Sequence, residues 1–117
     1  TMIMVAENCA QLTSIVFGDN SIITDDVIIA YTKGCPKLIT CDLSNCWNLT
    51  DLTVNALATL SDIETINLSN CDITDDAFEP LLLQCPKLTK LIATKCCVDE
   101  DNMASLRKSY PRVTIET

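Results

Sequence analysis

The chain contains the stretch Cys35-Pro36-Lys37-Leu38-Ile39-Thr40-Cys41-Asp42-Leu43-Ser44-Asn45-Cys46, and its pattern returns at residues 85–96. A variant of it lies between the two, at residues 63–71. The leading apolar residues of the units follow one another at steps of 26, 25, 25 and 25 residues, at Leu12, Leu38, Ile63, Leu88 and Val113. A period this regular predicts an array of stacked repeats.

The predicted array is a single domain that takes in all 117 residues. We expect about four repeats, at 8–33, 34–58, 59–83 and 84–108, with partial units at 1–7 and 109–117. Residues 1–6 are predicted to be the end of a helix, so the chain would enter partway through a unit. The first and last strands lack obvious polar capping units, which such arrays normally need. We therefore expect either a fragment of a longer array or a protein whose unsealed ends contact another chain.

Each unit is predicted to contain a short strand. Alternate residues of a strand point to opposite faces, so apolar side chains such as Leu38, Cys41 and Leu43 should face the core. We expect these strands at 15–17, 41–43, 66–68 and 91–93, with a last one at 113–115. Successive strands should stack in parallel, about 4.8 Å apart.

A helix is predicted to follow each strand. Side-chain oxygens at Thr24, Thr50, Thr74 and Asp99 are the expected N-caps, and acids follow them at 25–26, 51, 75–76 and 100–101, where a helix N-terminus favours negative charge. Core stripes are predicted at Ile28 and Tyr31, Val54 and Leu57, Phe78 and Leu81, and Met103 and Leu106. Pro80 should lie inside the third helix, lose a bond to Asp76 and bend it.

Composition argues against catalysis. The chain has no histidine, so the commonest general base and metal ligand is absent, and its two glycines form no phosphate-binding loop. We therefore predict no catalytic residue, no metal, no cofactor and no enzyme activity. No apolar run approaches the length of a membrane helix, and the net charge of −8 without a clustered basic face argues against nucleic acid.

The eight cysteines are predicted to be reduced thiols that fill repeat positions. One position holds Cys46, Cys71 and Cys96, with Asn20 in the first unit; another holds Cys9, Cys35 and Cys85, where other units have Leu60 and Tyr110. Disulfide bonds do not fit, because other units have asparagine, leucine or tyrosine at the same positions. A zinc site is the alternative, but the chain contains no C-x-x-C pair. Reduced thiols favour a cytosolic or nuclear compartment, with the mitochondrial matrix as the alternative. Cys97 breaks the pattern and is expected to be exposed.

The units also match a known consensus, C-x-x-L-x-x-L-x-L-x-x-C-x-x-I-T-D. It is matched at residues 35–51, and with one loop residue fewer at 85–100, where Val98-Asp99-Glu100 stands for Ile-Thr-Asp. The third unit has Leu60 for the first cysteine and keeps Ile73-Thr74-Asp75. The chain therefore resembles the cysteine-containing leucine-rich repeats of F-box/leucine-rich-repeat proteins and antagonist of mitotic exit-like proteins.

This resemblance implies both a fold and a function. The fold is α/β: a right-handed solenoid like a segment of the ribonuclease-inhibitor horseshoe, with parallel strands inside and helices outside. The implied function is non-catalytic recognition of a protein substrate or partner by an F-box-type ubiquitin ligase component. Two alternatives stay open. One is an assembly or coupling factor of a larger complex, as in mitochondrial ATP synthase factor B, and the other is a structural solenoid segment without a ligand.

The predicted partner-binding surface is the outward ribbon of strand residues. Small polar side chains with a few charges on a concave face suit a protein or peptide. The candidate residues on this face are Thr40, Asp42, Ser44, Thr65, Asn67, Ser69, Lys90, Ile92 and Thr94. Trp47, in the loop after Cys46, is a further candidate as an interface anchor, although packing against neighbouring loops would also explain it.

Overall fold

The described part of the chain, residues 10–117 of the computed structural model, forms one parallel sheet of five short strands. These are β1 (Ser14–Val16), β2 (Thr40–Asp42), β3 (Thr65–Asn67), β4 (Lys90–Ile92) and β5 (Thr114–Glu116). They lie side by side in chain order, and each residue pairs with its counterpart one repeat later. The predicted parallel stacking is confirmed, although β1 to β4 begin one residue before the predicted positions and β5 one residue after.

Helical segments connect the strands. They are α1 (Asp25–Gly34), α2 (Asp51–Leu57), a 3₁₀ turn (Asp75–Ala77) that leads into α3 (Phe78–Gln84), and α4 (Glu100–Ser109). Strand, helix and parallel strand follow one another in each unit, which is the right-handed crossover that twisted strands favour. The predicted fold class, an α/β solenoid with strands on one side and helices on the other, is confirmed.

Aliphatic side chains fill the space between sheet and helices. The repeat leaders Leu38, Ile63 and Leu88 have no exposed surface. All four predicted helix stripes are buried as well. Each such side chain contributes about 1.5–3 kcal/mol by leaving water, so the core follows directly from the period.

Pro80 does not interrupt a regular helix. The prediction placed it in a helix interior, whereas the structure divides this segment, with α3 beginning at Phe78 after the 3₁₀ turn. Pro80 is therefore in the first turn of α3, where backbone N–H groups have no intrahelical acceptor in any case. The predicted loss of a bond to Asp76 inside the helix is wrong for that reason.

The predicted N-caps are only partly correct. Thr50 accepts a hydrogen bond from the Leu52 amide at 3.3 Å, and Asp99 accepts one from the Asp101 amide at 2.9 Å. The side chains of Thr24 and Thr74 make no such cap bond. Instead, hydrogen bonds between successive repeats fix the N-termini of the helical segments.

In the first three units, the aspartate at the start of the helical segment binds the next unit through its carboxylate. Asp51 accepts hydrogen bonds from the Thr74 amide at 2.8 Å and the Thr74 hydroxyl at 2.6 Å. Asp75 likewise accepts from the Asp99 amide at 3.1 Å and from the amide of Asn102, which lowers the pKa of Asp75. These aspartates therefore stabilise the stacking of repeats, besides the helix-dipole effect that the sequence suggested.

An arginine covers part of the last sheet edge. Along each strand, alternate residues turn their backbone groups toward the following strand. Leu43, which lies two residues after Cys41, the counterpart of Ile115 in β2, donates to the Asn67 carbonyl at 2.8 Å. Arg107 donates through Nε to the Ile115 carbonyl at 3.0 Å. The Ile115 carbonyl is therefore already hydrogen-bonded at this end of the sheet.

Three expectations about the ends and units of the array stay predictions. They are the contact through the two ends of the solenoid, the helix at 1–6, which lies outside the described residues, and the repeat boundaries.

Candidate interaction surface

The strand face consists of three rows of outward side chains, one residue from each repeat. The rows are Ser14, Thr40, Thr65, Lys90 and Thr114; Val16, Asp42, Asn67, Ile92 and Glu116; and Gly18, Ser44, Ser69 and Thr94. The structure thus brings together nine of the ten predicted site residues. Eight of them are half-buried, and Lys90 is exposed.

Hydrogen bonds within the strand face fix several of these side chains. The Asp42 carboxylate, through Oδ1, accepts from the Ser44 amide at 3.0 Å and from the Ser44 hydroxyl at 2.8 Å. The Asn67 Oδ1 accepts from the Ser69 amide at 3.1 Å. The Thr94 and Ser69 hydroxyls are 2.8 Å apart and join two repeats. Such a surface is preorganised, because the rotamers are set before a partner arrives.

The same bonds leave one donor and one acceptor for a partner. Among residues 10–117, no group hydrogen-bonds the second carboxylate oxygen of Asp42 or the Nδ2 of Asn67. These two residues are in register on neighbouring strands. A peptide amide and a carbonyl would match this pair.

Thiols hold the ends of the strands. Cys46, Cys71 and Cys96 donate to strand-end carbonyls of the preceding repeat, at 3.0, 3.1 and 3.1 Å. Burial is the main cause that raises the pKa of Cys71 to about 12, so this thiol keeps the proton that it donates. Each of these three thiols thus links its own repeat to the one before it. Cys41, Cys85 and Cys97 are also thiols, and Cys97 is exposed as predicted; Cys9 lies outside the described residues.

A ladder of left-handed residues, which the sequence interpretation missed, borders the strand face. Asp19, Asn45, Asn70 and Lys95 have φ values of 64°, 62°, 59° and 60°. The Asn45 amide donates to Asp19 Oδ1 at 2.7 Å, and the Asn70 amide donates to Asn45 Oδ1 at 3.1 Å. Asn and Asp tolerate this conformation better than other side chains do. The available signal was their recurrence at the repeat period just before the cysteine position.

Replacing Asn45 should weaken the solenoid in a graded way. Asn45→Ala loses both ladder bonds and puts a methyl group at positive φ, so we expect a loss of about 1–2 kcal/mol in the free energy of unfolding. Asn45→Gly keeps the conformation accessible and should lose less. Denaturant titration of both variants, with Asn55→Ala on the exposed side of α2 as the control, measures this difference. Equal stability of Asn45→Ala and wild type would contradict it.

Trp47 lies apart from the strand face. Its side chain is 53% exposed, in the loop that leads from β2 to α2. Because all strands are parallel, the strand-to-helix loops all follow the carboxyl ends of the strands and lie on one side of the molecule, here called the loop edge. The structure thus assigns Trp47 to this loop edge, where most of the acids also lie, and not to the ribbon of the other nine candidates.

Residues 10–117 lack both a cluster of metal ligands and a helix that could span a membrane. They contain no group of three or more His, Cys, Asp or Glu side chains placed to hold a metal ion. In the same part of the chain, no helix has the length and apolar character needed to cross a membrane.

Solved structures with the same arrangement identify the fold. Superposition on "Leiomodin-1 Actin-Binding Site 2 (ABS2)" gives a TM-score of 0.72 with 19% identity, covering 98% of this chain and 75% of that one. The tropomodulin C-terminal domain of Caenorhabditis elegans gives 0.75 with 12% identity, over 99% of this chain and 81% of that one. The chain folds as a leucine-rich-repeat solenoid.

Sequence comparison finds a curated protein that is similar over part of the chain. The chain is 35% identical over 78 residues to "Antagonist of mitotic exit network protein 1" of Candida glabrata. The aligned region covers 64% of this chain and 15% of that protein. The chain thus spans about a seventh of this curated relative. It is also similar to a chain in the complex of Rad7 and Elc1 in yeast, with a TM-score of 0.70 and 26% identity over 90% of this chain and 27% of that one. No family model matches.

Proposed function

We propose that the solenoid is a non-catalytic protein-interaction module whose strand face recognises the substrate or partner of an F-box-type ubiquitin ligase component. The observation that carries this is the pair Asp42 and Asn67, in register on neighbouring strands, each fixed by a neighbouring serine and each with one unused polar atom. The similarity to the mitotic-exit antagonist and to a chain of the Rad7–Elc1 complex supports the proposal.

The chemistry of the strand face fits an extended protein segment. Polar atoms at its centre are flanked by apolar surface from Val16, which is 68% exposed, and from half-buried Ile92. Lys90, with Glu116 at 3.9 Å, adds charges of both signs at the far end. Mixed polar and apolar contacts of this kind are typical of protein interfaces. Reduced buried thiols support a cytosolic or nuclear site of action.

Quantitative affinity capture from cells tests this function. The bait is the full-length protein, either wild type or carrying Asp42→Arg with Asn67→Arg, and the matched control carries Asn55→Arg with Gln84→Arg on the helix side. We expect all three baits to capture the Skp and cullin subunits of the ligase. A further set of proteins, the candidate substrates, should be captured by the wild type and the control but not by the strand-face variant. Ubiquitylation of that set should fall at least about tenfold with the strand-face variant, since truncating an interface centre costs 1.4 kcal/mol or more.

Two outcomes contradict the proposal. If all three baits capture the same proteins equally, the strand face is not the recognition surface. If no bait captures ligase subunits, the ubiquitin-ligase role is wrong, even where the strand face binds a protein.

A further inference from the structure

We propose that the solenoid has a second docking surface, the loop-edge patch formed by Ile22, Trp47 and Leu52, which binds a basic amphipathic segment of a partner protein. It is separate from the strand face and does not depend on the function proposed above. Three observations carry it: the exposure of these side chains, the departure of Trp47 and Leu52 from the repeat pattern, and the charge around them.

The loop-edge patch is apolar and exposed. Ile22 is 74% exposed, Trp47 53% and Leu52 59%. Ile22 and Trp47 lie in the strand-to-helix loops of the first two repeats, and Leu52 lies in the first turn of α2. The exposed surface of these side chains is not used for packing, and tryptophan is among the residues that dominate binding at protein interfaces.

The repeat does not require apolar residues at these positions. Where the second unit has Leu52, the others have Asp26, Asp76 and Asp101. Where it has Trp47, the others have Ser21, Asp72 and Cys97. The fold therefore accepts polar side chains at both positions, and in the second unit both are replaced by large apolar ones on the same edge.

Hydrogen bonds hold the two loops of the patch together. The Asn48 amide contacts the Ser21 carbonyl, next to Ile22. Asp25, at the start of α1, accepts from the Thr50 amide at 2.9 Å. The backbone that carries the three apolar side chains is thus fixed across both repeats, which reduces the entropy lost when a partner binds.

The charge around the patch selects the occupant. The strand-to-helix segments 18–26, 44–52 and 69–76 contain seven aspartates and no lysine or arginine. Asp25, Asp51 and Asp75 are engaged between repeats, so the exposed carboxylates of Asp26, Asp72 and Asp76 remain for a partner. An apolar patch bordered by acids matches a segment with leucine-like residues on one face and lysine or arginine beside them. A second copy of the same patch, a nucleic acid or an anionic membrane would be repelled by these carboxylates.

Fluorescence of Trp47 provides a direct readout, because the chain has one tryptophan. The probe is a short synthetic peptide of leucine and lysine at helical spacing. Its two controls replace every lysine by glutamate or every leucine by serine. We expect the Trp47 emission maximum to shift to shorter wavelength and to saturate as the leucine–lysine peptide is added. Because both apolar burial and charge contribute to the binding free energy, either control peptide should need a concentration at least about tenfold higher.

Variants test the location of the site. Leu52→Asp installs the residue of the other repeats and should weaken binding at least about tenfold, since a buried leucine is worth about 1.5–3 kcal/mol. Leu83→Asp is the matched control, because Leu83 is 66% exposed on α3. Asp26→Lys with Asp76→Lys should also weaken binding, whereas the strand-face variant Asp42→Arg with Asn67→Arg should bind as wild type.

Several results would overturn the docking surface. They are equal binding by Leu52→Asp and wild type, equal weakening by Leu83→Asp, and a control peptide as effective as the leucine–lysine probe. Loss of binding in the strand-face variant would also overturn it, because the peptide would then occupy the other surface.

Discussion

Raising the pH from about 9 to about 12 should lower the free energy of unfolding steeply, because buried thiols cannot ionise in the folded chain. Burial raises the pKa of Cys71 from 9.0 to about 12, and it raises the pKa of Cys41, Cys46, Cys85 and Cys96 as well. Below pH 9 both folded and unfolded thiols are protonated, and their contribution is complete. Above it only the unfolded state loses protons, so stability is lost at about 1.4 kcal/mol per pH unit for each fully buried thiol.

Cys41→Val isolates one thiol from this effect. Cys41 is fully buried in β2, at a position where the other strands have Ile15, Ile66, Leu91 and Ile115. Valine suits that position, so stability at neutral pH should change little. Denaturant titrations from pH 7 to 11 should show a shallower alkaline loss for this variant. Cys97→Ser, at an exposed loop position, is the control, and equal slopes for Cys41→Val and wild type would contradict the assignment.

Asp25→Ala should be the most damaging substitution of a carboxylate. Asp25 accepts hydrogen bonds from the Thr50 amide at 2.9 Å, the Thr50 hydroxyl at 2.7 Å and the Thr53 hydroxyl at 2.6 Å. Thr53 has no exposed surface. Removal of the acceptor leaves the buried Thr53 hydroxyl unsatisfied, at about 1–3 kcal/mol, and also the two half-buried donors of Thr50. We therefore expect a loss of about 3 kcal/mol in the free energy of unfolding.

Two aspartates provide the comparison for Asp25. Asp51→Ala removes two bonds to Thr74 and should cost less than Asp25→Ala. Asp26→Ala, next in the chain and exposed, should change stability by less than about 0.5 kcal/mol. Thermal and denaturant unfolding of the three variants measures the order. If Asp25→Ala and Asp26→Ala were equally stable, the bridging role of Asp25 would be wrong.

The fold was predictable because the period fixes the core. Residues that recur every 25 or 26 positions can be buried together only if successive coils stack. Recurring apolar residues such as Leu38 and Leu88 therefore indicated which side of the sheet and of the helices faces the core. The strand face followed from the alternation of side chains along each strand. Nine of the ten candidate residues therefore came together without any knowledge of tertiary contacts.

Contacts between repeats were the part that sequence reasoning missed. Whether Asp25 accepts from its own helix or from Thr50 depends on the distance between coils, which the sequence of one unit does not determine. The same holds for the acceptor of the Cys71 thiol, which is the Leu43 carbonyl of the preceding repeat. Pro80 was misplaced because a 3₁₀ turn before α3 shifts the start of that helix.

The bridges between coils recur with the same chemistry, and this makes the units interchangeable. An aspartate accepts from the threonine or aspartate ahead, a thiol donates to the carbonyl behind, and an asparagine amide donates to the Asn or Asp before it. A gene that duplicates or deletes one 25-residue module would thus join surfaces that already fit. The length of such an array can change over evolution without the invention of a new interface.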